Sequence, residues 1–108
     1  MPTVIIRTTV ADYDRWKPVF DEHKSFRREF GLTDVGIYRD ATTPNDVVLV
    51  FGADDLGRAH EFAESENLRE AMQRSGVISK PSIWFLEEAE PLETRLLAPG
   101  EQALEART

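Results

Sequence analysis

The chain contains no cysteine. That excludes disulfides, thiolate metal sites and a thiol nucleophile together. Long apolar runs are also missing: nowhere do the ~20 consecutive apolar residues of a membrane-crossing helix occur. The opening Met1-Pro2-Thr3-Val4 has no basic start of the kind that begins a targeting segment. No membrane association and a cytoplasmic location are the expectation. Histidine is scarce, with only His23 and His60. Neither has a carboxylate at metal-ligand spacing on its own helix face, because Glu22 and Glu61 turn away when their neighbours point inward. No metal site is expected. Basic residues are outnumbered, 13 Lys and Arg against 20 Asp and Glu, for a net charge of −7. Polyanions are repelled on average, and no cluster of basic and aromatic residues makes a local exception, so nucleic acid is not an expected partner. Arg27 and Arg28 sit between acidic neighbours and read as part of a solvated helix face.

What remains is a chain of 108 residues, enough for one domain that removes roughly two thirds of its unfolded surface from water. Thr3 to Val10 is β-branched almost throughout and reads as a strand with both faces partly buried. Asp12 is placed to cap a helix. Between Tyr13 and Phe30 the residues Trp16, Val19, Phe20, His23, Phe26, Arg27 and Phe30 recur at helical spacing, forming one core-facing stripe. Pro18 is expected to kink this helix about one turn in, and Gly31 to end it.

Val35 to Asp40 and Val47 to Ala53 read as two further strands, joined by a hairpin whose turn chemistry lies in Pro44-Asn45-Asp46. Asp54 or Asp55 caps a second helix with Leu56, Ala59, His60, Phe62 and Ala63 on its apolar side. It is expected to break near Ser65 and restart through an Asn67–Glu70 capping box. Gly76 ends it, Pro81 opens the last strand, and Ser82 to Glu88 is apolar on both faces before turning acidic.

The order βαββαβ gives an α+β domain over residues 1–90, with a four-stranded antiparallel sheet and helices on one face. The strands are apolar on both faces while the helices suffice for one, so a second copy is expected to cover the other. Residues 91–108 carry Leu92, Leu96 and Leu97 before an Ala-Pro-Gly break, and read as an arm onto the partner followed by a partly disordered end.

The run Asp12-Tyr13-Asp14-Arg15-Trp16-Lys17-Pro18-Val19-Phe20-Asp21-Glu22-His23 is one of three segments with a familiar pattern. The others are the strand Val48 to Phe51 before Asp54-Asp55, and Phe62-Ala63-Glu64-Ser65 before Leu68-Arg69-Glu70-Ala71-Met72. Together they resemble the small dimeric α/β-barrel proteins of ferredoxin-like topology. That superfamily includes antibiotic-biosynthesis and other cofactor-independent quinone-forming monooxygenases, haem-degrading monooxygenases, polyketide cyclases and muconolactone isomerases. The resemblance spans Thr3 to Glu88. It implies a homodimer whose two sheets form a barrel, with a ligand cleft between sheet and helices in each subunit. The haem-degrading branch uses an asparagine on an early strand, which the first strand here lacks, so haem degradation is not expected.

Several residues could carry chemistry in such a cleft. His23, within the stripe of the first helix, is the best-placed general base, and equally reads as a core histidine satisfied by one hydrogen bond. His60, beside Ala59 and Ala63, borders the same cleft if the helices run side by side, and otherwise sits at a helix edge. Arg7, in a β-branched strand, is expected either to pair with Glu87 or to hold a carboxylate or enolate oxygen. Tyr38 is the alternative oxyanion partner. Trp16, Phe20, Phe62 and Trp84 are candidate lining residues for a small apolar or aromatic ligand. The leading functional expectation is a cofactor-free enzyme that abstracts a proton from, or cyclises, an aromatic or polyketide-like molecule. The alternatives are a quinone-forming monooxygenase and a non-catalytic, stress-associated binding dimer.

Overall fold

A computed structural model describes residues 1–90. The arm expected over 91–108 lies outside the described residues. In chain order the elements are β1 (Thr3–Thr9), α1 (Tyr13–Glu22), α2 (Lys24–Glu29), β2 (Leu32–Arg39), β3 (Asp46–Ala53), α3 (Leu56–Ala63), α4 (Glu66–Ser75) and β4 (Ser82–Leu86). The strands form one antiparallel sheet in the order β2-β3-β1-β4. This is the expected α+β ferredoxin-like arrangement, with each helical crossover split in two.

Strand periodicity divides the sheet into two faces. In β1, Val4, Ile6 and Thr8 are buried while Arg7 between them is exposed. Their register partners share their side. Val4 lies opposite Phe51 and Phe85, and Ile6 opposite Leu49 and Ile83. These residues form the helix-side core with Trp16, Ala59 and Phe62. The other face presents Ile5, Val48 and Val50, with Trp84, Leu86 and Tyr38 largely open to solvent. No element among the described residues covers it.

The helix starts follow their local chemistry. Asp12 accepts from the amide of Asp14, and Asp55 from that of Gly57. Both helical stretches then break, the first away from the expected Pro18 and the second near Ser65 as expected, but with a different cap. Pro18 is accommodated inside α1, and the chain opens instead at His23, between α1 and α2. There the carbonyl of Phe20 accepts from the His23 amide and from Nη1 of Arg27, so a side chain takes up helix hydrogen-bonding capacity. In the second stretch the cap of α4 is Ser65, whose hydroxyl accepts from the amide of Leu68 at 3.1 Å. Asn67 is thereby freed from the expected capping box. β2 begins at Leu32, earlier than the expected Val35, because Gly31 at φ 75° turns the chain directly into the strand.

Candidate functional site

The helices do not seal onto the sheet. Between them is an apolar cleft with a cavity volume of about 60 Å³, open at its mouth. Its floor is the helix-facing set of strand residues, Ile6, Thr8, Leu49, Phe51 and Ile83. One wall carries Trp16, Val19 and Phe20 of α1, His23 at the break and Arg27 of α2; the other carries Phe62 of α3 with Leu68, Ala71, Met72 and Ser75 of α4. The walls are strongly aromatic. Trp16 and Phe20 lie 5.0 Å apart between ring centroids, Phe20 and Phe51 6.3 Å, and His23 and Phe62 6.0 Å. Such rings offer planar contact surface with little rotamer freedom to lose.

Few polar groups interrupt this lining. The Ser75 hydroxyl donates back to the carbonyl of Met72, and the Thr8 hydroxyl lies 3.4 Å from that of Ser79. His23 is half-buried, and its Nε2 lies 2.7 Å from Oδ1 of Asn67. With the Asn67 amide turned so that its oxygen faces the ring, Nε2–H donates to it and the lone pair of a neutral imidazole lies on Nδ1. The break in the first helical stretch thus puts an imidazole tethered to Asn67 on the cleft wall.

Arg27 is a correction to the sequence reading. It is not part of a solvated face: it is 2% exposed. Its guanidinium makes a two-pronged pair with Asp34, Nε to Oδ1 and Nη2 to Oδ2 at 2.8 Å each, and Nη1 donates to the carbonyl of Phe20 at 2.7 Å. The group also stacks over the Phe20 ring at 3.8 Å. Its place in the apolar stripe, four residues after His23 and seven after Phe20, was the signal for this. The neighbouring charges obscured it.

The remaining candidates fall elsewhere. Trp16, Phe20, Phe62 and His23 meet in the cleft, but His60 does not line it; that ring is exposed and stacks on Phe85 at 3.6 Å. Arg7 and Tyr38 lie in one cross-strand row through Val48, on the face of the sheet away from the helices. Trp84, opposite Ile5, is on that face too. Arg7 does not pair with Glu87. It is solvent-exposed, with Nη2 3.5 Å from Oδ2 of Asp46 near the start of β3. The sheet therefore separates both expected oxyanion partners from His23 within one subunit.

Among the described residues one carboxyl group is clearly perturbed, and it belongs to a turn rather than the cleft. The amides of Thr43 and Thr42 donate to Oδ2 of Asp40 at 2.7 and 3.0 Å and hold its pKa below the ordinary carboxylate value. Among the described residues, no three His, Asp or Glu side chains converge as metal ligands, and no helix is long and apolar enough to cross a membrane.

No protein-family model and no curated protein matches the chain. Solved structures do. A Deinococcus radiodurans protein provisionally described as an antibiotic biosynthesis monooxygenase is 14% identical, with a TM-score of 0.63 over 88% of this chain and 99% of that one. A Bordetella bronchiseptica protein with the same provisional description is 13% identical, with a TM-score of 0.67 over 82% of this chain and 97% of that one. SnoaB, a cofactor-independent oxygenase from Streptomyces nogalater, is 14% identical, with a TM-score of 0.59 over 84% of this chain and 97% of that one. At these identities the likeness establishes the ferredoxin-like fold and nothing finer.

Proposed function

We propose that this chain binds a planar aromatic or polyketide-like molecule in the helix-side cleft, and that His23 removes a proton from it without a cofactor. The observation that carries this reading is a single imidazole, hydrogen-bonded to Asn67, on the wall of an aromatic cleft. A void beside His23 also speaks against the alternative of a binding dimer whose pocket is filled by its own side chains.

The acidic C–H of such a substrate, next to a carbonyl or between phenolic rings, passes its proton to Nδ1. The electron pair moves onto the conjugated oxygen as an enolate or phenolate. Nε2 keeps its proton and its bond to Asn67, which holds the ring in place while charge develops. From the carbanion-like intermediate, ring closure onto a second carbonyl, with return of the proton, completes a cyclisation. The structural likeness to a cofactor-independent oxygenase favours a second continuation, in which the carbanion reacts with dioxygen. A methylene then becomes a carbonyl and one molecule of water leaves per dioxygen consumed.

The same reading includes a homodimer joined through the outer sheet faces, supported by the unpaired row Ile5, Val48, Val50, Trp84 and Leu86.

The test uses 1,8-dihydroxyanthrone and related phenols, following substrate loss and oxygen uptake together. His23→Ala is expected to lower kcat by about 10²- to 10⁴-fold with binding retained, the usual size of a general-base contribution. Full activity in His23→Ala overturns the assignment of the base. Turnover without oxygen uptake selects cyclisation over oxygenation.

A further inference from the structure

We infer that Arg27 holds the anionic oxygen of the bound molecule, so that the cleft selects ligands able to become enolates or phenolates. This rests on the reading of the cleft as a site of proton removal and names the group that stabilises the resulting charge. Four observations support it.

A guanidinium has five N–H donors. Three are occupied in Arg27, two by Asp34 and one by the carbonyl of Phe20. Two N–H groups are left on a side chain that is 3% exposed and lines the cleft. Buried donors normally find partners, and on this wall an oxygen of a bound molecule supplies one.

The pair with Asp34 does not cancel the charge as seen from the cleft. The Asp34 side chain is 31% exposed against 3% for Arg27. Water screens the anion more than the cation, and an apolar lining leaves the cation's field strong. The contacts that serve the fold, to Asp34 and to the carbonyl of Phe20, leave these two donors unused.

The position relative to His23 suits the chemistry. The Arg27 amide donates to the carbonyl of His23 at 3.2 Å, one helical turn away. Residues four apart on a helix lie on one face with Cβ atoms about 5–6 Å apart. Proton acceptor and anion holder are thus adjacent, as the carbon and oxygen ends of an enolising unit are. When the proton moves to His23, the negative charge gathers on the oxygen next to Arg27, which stays protonated throughout.

Finally, the Phe20 ring under the guanidinium fixes its plane. No reorientation is needed when the charge appears.

The experiment measures the acidity of bound 1,8-dihydroxyanthrone from the visible absorbance of its anion. In the wild-type protein the pKa of the probe is expected to fall by about one unit or more, equivalent to a tenfold or greater preference for binding the anion. Arg27→Gln should abolish that shift, while Arg27→Lys, which keeps the cation without the fork, should retain part of it. Asp34→Asn leaves Arg27 in place with one anion fewer beside it and should enlarge the shift. It carries the test if Arg27→Gln does not fold. A probe that binds with the same pKa in wild type, Arg27→Gln and Asp34→Asn overturns the role of Arg27 and leaves His23 as base. A wild-type protein that does not bind the probe overturns both.

Discussion

His23 and Asn67 close a 2.7 Å hydrogen bond between chain segments 44 residues apart. The bond ties the break between α1 and α2 to the first turn of α4, so the two walls of the cleft are joined at a point where each helical stretch has been interrupted. Asn67→Ala removes the acceptor. The expected cost to stability is about 0.5–1 kcal/mol, the low end for a hydrogen bond, because the site is reached by water. Nitrogen NMR should show the Nε2–H tautomer dominating in the wild type and a mixture in the variant. A kcat that falls with little change in KM would accompany that mixture; an unchanged tautomer would remove Asn67 from the account.

The outer sheet face supports a separate prediction. Trp84→Glu and Ile5→Glu place a charge on the face away from the helices and leave the core untouched. Each should convert a particle of twice the chain mass into one of single mass by sedimentation, with circular dichroism unchanged. Ile6→Glu, one residue along β1, should instead unfold the domain, since it buries an unpaired charge among Leu49, Ile83 and their neighbours. A wild-type protein already of single mass at micromolar concentration would count against the dimer.

Gly76 ends α4 at φ 84°, and a Cβ there would meet nothing closer than 3.8 Å, at the Cβ of Ala11. Because space is available, Gly76→Ala isolates the backbone term. It should destabilise by about 1–2 kcal/mol in urea unfolding, the cost of a left-handed conformation for a residue with a Cβ.

Asp40 gives the pH dependence. Its carboxyl is held below the ordinary value by the amides of Thr43 and Thr42. A group with a lowered folded-state pKa adds stability that is present above its unfolded value and is lost as pH falls through the folded one. The β2–β3 turn should therefore loosen only at acid pH, below the ordinary carboxylate range. Carbon NMR of the Asp40 carboxyl should show its midpoint below that range. Asp40→Asn should flatten this part of the acid response and lower stability slightly at neutral pH, where the ionised carboxyl makes its contribution.

Much of the fold is legible along the chain because its signals are local. The β-branched run of β1, the Asp12 cap, the stops at Gly31 and Gly76 and the turn at Pro44-Asn45-Asp46 each act within a few residues. What the sequence conceals depends on contacts between elements. Proline chemistry points to a break at Pro18, yet the chain opens at His23, where Arg27 occupies the carbonyl of Phe20. Burial of Arg27 depends on Asp34, which reaches it only after the turn at Gly31. The faces of Tyr38 and Trp84 are hidden for another reason: β2 carries a bulge between Asp34 and Gly36 that resets its alternation, and β4 is apolar on both sides. The partner of Arg7 is likewise a matter of register, since β1 and β3 pair so that Asp46 stands opposite Thr9, on Arg7's own face.

That register has a consequence for how the molecule can change. Successive residues of β1, β3 and β4 answer to different demands: Ile6, Leu49 and Ile83 touch whatever occupies the cleft, and Ile5, Val50 and Trp84 touch whatever lies against the sheet. The two demands are threaded through the same few codons without sharing one. Ligand preference and self-association can therefore drift independently, and a substitution scan along β1 should alternate between the two phenotypes residue by residue.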